Sequence, residues 1–202
     1  MRYKQGWGIT MFGENKKKTD ILFVIAFLAI GIGSIAGSVY YSYCYKGSED
    51  VENYLNDYIV GLKSGMDFYS VVKSSAKSYI FSSLVIAAAS FLKLGPFVTL
   101  GFLIRKGFVN SFTSAAFFDL YGLKGLAFLL SSAPQILILI PSYALLFSVC
   151  TIFSRYRRDF EKKDKIIYII FLTIITAIFC ICAVLEGFTT TTFMKWIAMK
   201  VT

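Results

Sequence analysis

The stretch Gly125–Phe153, GLAFLLSSAPQILILIPSYALLFSVCTIF, contains no charged residue, and none occurs anywhere between Lys124 and Arg155. A helix needs roughly 20 apolar residues to cross the hydrocarbon core of a bilayer, so this stretch is long enough to span one. It also holds two of the chain's three prolines, Pro134 and Pro141. Each proline lacks an amide proton and leaves a carbonyl one turn earlier without its usual donor. In lipid those carbonyls need other partners, from neighbouring helices or from Ser131, Ser132 and Gln135, which predicts a central place in a helix bundle. An ordinary proline kink would explain the same pattern without any function.

Composition agrees with a membrane location. The 202 residues are 56% hydrophobic and 16% charged, with a mean hydropathy of +0.65, well outside the range of a water-soluble domain. The net charge of +9 would suggest nucleic acid in a soluble protein. Here the basic residues cluster in short segments beside apolar spans, a pattern that sets membrane orientation, so no nucleic-acid partner is expected. The chain has no histidine, which excludes an H-E-x-x-H zinc site and any Ser-His or Cys-His nucleophile pair. Cys44, Cys150, Cys180 and Cys182 show no C-x-x-C spacing and read as small apolar residues. Neither metal nor cofactor is expected.

Outward from the central stretch, the sequence predicts an all-α integral membrane protein, a bundle of about five transmembrane helices with the N-terminus inside and the C-terminus outside. Residues 1–20 form a basic cytoplasmic tail. The spans fall at about 21–43, 79–103, 107–120, 126–153 and 166–186, with an outer loop at 44–78, a cytoplasmic loop at 154–165 and an outer tail at 187–202. The first span is longer than a signal-peptide core and is not followed by a small-residue cleavage site. In it Ala29, Gly33 and Gly37 recur every four residues, a stripe that lets another helix backbone come close. Lys93, Gly95 and Pro96 interrupt the second span, which reads as one broken helix, and a lysine there is costly unless it pairs or faces a cavity. Arg105 and Lys106 then mark the cytoplasmic side, together with the N-terminal tail and the basic segment after Arg155.

Within the first outer loop Val51, Tyr54, Leu55, Tyr58, Ile59 and Leu62 follow helical spacing, and Glu49, Asp50 and Glu52 lie at the start of the pattern. This is an amphipathic helix with its acidic residues at the end favoured by the helix dipole. Its apolar face either packs as a lid on the bundle or binds a partner.

Three motifs complete the pattern. Pro134 and Pro141 are separated by six residues, Gln135 to Ile140, within a membrane helix; Leu185-Glu186-Gly187-Phe188-Thr189 presents an aliphatic residue, Glu, two residues, then Thr; and Lys106-Gly107 stands where an Asn-Gly pair is usual. In these the chain resembles the stage II sporulation protein M family over nearly its whole length. It departs from the family pattern at Gln135, where His often follows the first proline, at Leu139, where Glu often precedes the second, and at Thr190, where Pro often follows the Thr.

The resemblance implies a role in endospore formation. Family members sit in the membrane around the forespore during engulfment and assemble with cell-wall hydrolases, a lytic transglycosylase and an amidase or endopeptidase. The function expected is therefore that of a non-enzymatic scaffold in the cell membrane that recruits and positions these enzymes. The partner-binding residues expected are Tyr54, Tyr58 and Leu62 in the first outer loop, since tyrosines tend to dominate interfaces. The family-motif residues are Gly107, Pro134, Gln135, Pro141, Glu186 and Thr189. Glu186 either reaches water from the membrane interface or serves the bundle or a partner. The alternative expectation is a small membrane transporter or permease subunit, motivated by the broken second span, the kinked fourth and Lys93. Against it stand the lack of an inverted repeat and of converging polar groups at membrane depth. An intramembrane enzyme has no base at credible spacing from a nucleophile.

Overall fold

The computed structural model describes residues 16–92, 94–156 and 162–201, and among them there is no strand. The elements in order are α1 (Lys16–Tyr40), a π-helical stretch Tyr41–Tyr45, α2 (Glu49–Ser64), α3 (Phe68–Ser90), α4 (Gly95–Tyr121), α5 (Leu123–Tyr156), α6 (Lys162–Phe188), a second π-helical stretch Thr189–Met194, and α7 (Lys195–Val201). Three segments are long and apolar enough to cross a membrane: Asp20–Tyr45, Leu123–Arg155 and Lys165–Lys200. Lys93, the first fifteen residues and the centre of the expected cytoplasmic loop lie outside the described residues.

The second and third expected spans need correction. The chain turns between Ser90 and Gly95, so 79–103 and 107–120 are replaced by two helices, α3 and α4, the first ending thirteen and the second starting twelve residues earlier than expected. The physical reason lies in the turn residues. Phe91 and Leu92 N–H groups close α3 onto the Ala88 and Ala89 carbonyls, and Gly95 lies so close to the Ala89–Ser90 backbone that a side chain would not fit. Pro96 then starts α4 in its first turn, where the missing amide costs nothing. Arg105 and Lys106 consequently sit mid-helix in α4, and α3 begins at Phe68, inside the expected outer loop.

The small-residue stripe of α1 packs on α4. A Cβ added to Gly33 or Gly37 would collide with the carbonyls of Ile104 and Phe108, and one added to Gly107 would collide with that of Ile30. The pairs Gly33–Ile104 and Gly37–Phe108 share one register and advance together, so α1 and α4 run parallel. Because α1 and α4 start at the same end, the N-terminus of α1, the end of α3, the end of α5 and the start of α6 lie together. At this end Phe153 stacks on Tyr168 with ring centroids 3.8 Å apart, Phe91 meets both rings edge-on, and Ser154 Oγ donates to the Leu92 carbonyl at 2.7 Å.

α5 is central, touching α1, α3, α4, α6 and α7. It runs unbroken through Pro134 and Pro141. Ser131 and Ser132 do not serve the carbonyls that the prolines leave. Their hydroxyls donate to Phe128 O and Leu129 O at 2.6 and 2.8 Å.

At the opposite end α2 lies across the bundle, burying Leu55, Ile59 and Leu62 with Phe117, Phe128 and Ala198. The helix begins with Glu49, Asp50 and Glu52 in its first turn and ends at Gly65, whose φ of 91° suits glycine alone among common residues. Two bonds hold it and its neighbours: Tyr121 Oη donates to Asn56 Oδ1 at 2.7 Å, and Tyr41 Oη donates to Asp119 Oδ2 at 3.1 Å.

Candidate functional site

Three polar helix faces converge beneath α2. On α4, Lys106, Asn110, Thr113 and Ser114 fall at i, i+4, i+7 and i+8; on α3, Ser74, Ser75, Ser78 and Tyr79 form a second stripe; on α5, Ser132 and Gln135 form a third. They enclose a cavity of about 460 Å³, closed from above by Tyr54, Leu55 and Tyr58 and at one side by Glu186 and Met194.

Glu186 stands near the end of α6 and accepts a hydrogen bond from Tyr79 Oη at 2.7 Å. The approach of α6 to α3 depends on Gly187, where a Cβ would strike Val72 and Phe68. Thr189, buried, returns its hydroxyl to the Glu186 carbonyl at 3.1 Å, and Thr191 does the same to Gly187 at 2.9 Å. These hydroxyls satisfy carbonyls where α6 widens into the π-helical stretch. Lys106 lies half-buried with its ammonium 5.0 Å from the Tyr79 ring centroid and 5.7 Å from that of Tyr143. A cation over an aromatic face is attracted by the ring quadrupole, which partly compensates for the water it loses. Tyr79 thus touches both charges, Lys106 through its ring and Glu186 through its hydroxyl.

The family-motif residues divide. Gln135 and Glu186 line the cavity, and the Gln135 amide oxygen is buried without a hydrogen-bond partner among the described residues. Gly107, Thr189 and the half-buried Pro141 serve packing, while Pro134 is exposed on the outside of the bundle.

The residues expected to bind a partner do not share one open face. Tyr54 is 72% exposed, Tyr58 is half-buried against Phe117, and Leu62 is 1% exposed in the core. Each step of four residues rotates around a helix by about 40°, because 3.6 residues make a turn. Tyr54, Tyr58 and Leu62 therefore pass from solvent to cavity wall to core. Tyr58 Oη donates to Met194 Sδ at 3.6 Å. Burial, followed by the charge of Glu186, raises the Tyr58 pKa above the ordinary phenol value and keeps the hydroxyl a neutral donor.

Lys106 and Tyr79 were missed as site residues from the sequence, the first because its charge read as a topology marker. The signal that finds Lys106 is the polar stripe on α4, visible once 95–121 is drawn as one helix, and Tyr79 continues the Ser74, Ser75, Ser78 stripe on α3.

A family model described as stage II sporulation protein M matches residues 22–191, from the start of α1's apolar run into the second π-helical stretch, with every cavity-lining residue but Met194 included. No curated protein and no solved structure shows a significant match.

Proposed function

Because the chain belongs to the stage II sporulation protein M family, we propose that it is a non-enzymatic membrane scaffold of endospore formation, positioning peptidoglycan hydrolases during forespore engulfment. Family membership and three span-length helices make it a sporulation-related membrane protein. In the fuller reading α1, α3, α4, α5 and α6 all cross the cell membrane around the forespore. The end with Lys16, Lys17, Lys18, Arg155, Lys162 and Lys165 faces the cytoplasm, following the rule that basic residues stay inside. The other end, with α2, then faces the wall.

The observation that carries the scaffold reading is the placement of α2. Its apolar side is used up in holding the bundle, and its exposed side, Asp50, Asn53, Tyr54 and Asp57, forms a fixed platform at the outer end. An ordered helix presents contacts without the cost of ordering a loop on binding. Tyr54 is its large anchor, and the hydrolases, a lytic transglycosylase and an amidase or endopeptidase, are its partners. The test is co-purification of these enzymes with the tagged protein from sporulating cells. Recovery with the wild-type chain and loss with Tyr54→Ser at equal abundance supports the platform; equal recovery refutes it.

The transporter alternative rested on the broken second span, the kinked fourth and Lys93. Of these, the first no longer applies, because α3 and α4 are two helices joined by a turn, and Lys93 lies outside the described residues.

A further inference from the structure

Lys106 and Glu186 line one cavity, yet no ion pair joins them. Opposite charges at membrane depth gain most by closing into a salt bridge, since neither is solvated there as it is in water. In this protein Tyr79 stands between them, its ring against the ammonium and its hydroxyl on the carboxyl group. Beside them the Gln135 amide oxygen is buried and lacks a donor. A buried acceptor without a donor is costly, so the cavity suits a ligand that brings one. What is missing is one group that is negative opposite Lys106 and carries N–H donors for Glu186 and Gln135.

We propose that this cavity binds a small zwitterion, a primary ammonium and an oxyanion on one molecule, of the phosphoethanolamine type. The oxyanion meets Lys106, and the ammonium meets Glu186 and the Gln135 amide oxygen. The volume of about 460 Å³ lies in the range of roughly 300–1,000 Å³ typical of small-molecule sites. Hydroxyls of Ser75, Ser114 and Ser132 line the remainder and suit a polar ligand. The rim residues Ser74, Ser78, Asn110 and Thr113 are exposed and lie about two to three turns inward from the α2 end of α3 and α4. In the proposed orientation the opening then faces the outer half of the surrounding bilayer. The same chemistry is available from a phosphatidylethanolamine headgroup entering sideways or from a free zwitterion entering from the outer solution. This site uses the interior of the bundle, and of the exposed side of α2 it touches Tyr54 alone.

The test is binding to the purified full chain in detergent. The probes are phosphatidylethanolamine, phosphatidylglycerol, which has the phosphate without the ammonium, and soluble phosphoethanolamine, with retention read by native mass spectrometry. The wild-type chain is expected to retain phosphatidylethanolamine about tenfold better than phosphatidylglycerol. Lys106→Met abolishes retention of both lipids, and Glu186→Gln removes the preference between them. Should either variant fail to fold, Asn110→Trp at the exposed rim closes the opening and abolishes retention. Binding of soluble phosphoethanolamine with the same residue dependence, and no lipid retained, assigns the free zwitterion as the source. Equal retention of the two lipids by the wild-type chain, retention unchanged in Asn110→Trp, or no probe bound at all overturns the proposal.

Discussion

Tyr79 Oη donates to Glu186 Oε2 at 2.7 Å, tying the middle of α3 to the end of α6 across more than a hundred residues of sequence. Tyr79 is 6% exposed, so this bond lies inside the bundle, where a lost donor is not replaced by bulk water. Tyr79→Phe is expected to lower the stability of the detergent-purified protein by about 1–3 kcal/mol, read as a fall in its unfolding midpoint. Glu186→Gln keeps an acceptor and should cost less. The double variant should be no less stable than Tyr79→Phe alone by more than the sum of errors; strict additivity of two large losses would show that the bond is not the shared cause.

The α1–α4 contact depends on missing side chains. Gly107→Val should cost more than the about 1–3 kcal/mol typical of overpacking, because the obstructing atom is the Ile30 backbone carbonyl and cannot rotate away. Gly101→Val, on the same helix with open space around it, should be tolerated. Comparing membrane levels of the two variants checks this, and equal levels would show that the close approach is dispensable.

On α2, neighbouring residues should separate two roles. Leu62→Ala should destabilise by about 2–5 kcal/mol and reduce the amount of protein in the membrane. Tyr54→Ser should leave both unchanged. If Tyr54→Ser also depletes the protein, its effect on hydrolase recovery says nothing about docking.

Sidedness can be read with thiols. Cys44 is exposed at the α2 end, whereas Cys150 is fully buried and would stay silent from either side. The informative pair is Cys44 and an introduced Arg155→Cys at the basic end, where the side chain is exposed. A membrane-impermeant reagent on intact cells should label Cys44, and the introduced thiol only after permeabilisation. The reverse pattern would invert the proposed orientation.

Much of the fold was legible because helices announce themselves by period. The 51–62 stripe located α2 to within two residues at each end, and the Ala29, Gly33, Gly37 repeat identified the face on which α4 packs. The α3–α4 turn was misplaced because hydropathy weighs each residue alone. Arg105 and Lys106 broke an apolar run and read as a loop, although a half-buried lysine held over two rings is compatible with a continuous helix. Glu186 and Gln135 stood out through their motifs, but their common cavity did not. It is formed by stripes from three helices and a fourth laid across them, and no spacing within one helix records that meeting. The spread of Tyr54, Tyr58 and Leu62 was calculable from the 3.6-residue turn, yet which direction faces the core is set by Phe117 and Ala198, far away in sequence.

The parallel pairing of α1 with α4 also dictates an order of assembly. Gly33 waits for Ile104 and Gly37 for Phe108, partners that a ribosome delivers only after α2 and α3 have been made. Until then α1 must reside in the bilayer with a groove of bare backbone along one side, open to any other helix with small residues. The most extensive contact of α1 is therefore decided late in synthesis, and a chain stopped before α4 would present that groove to the membrane's other proteins.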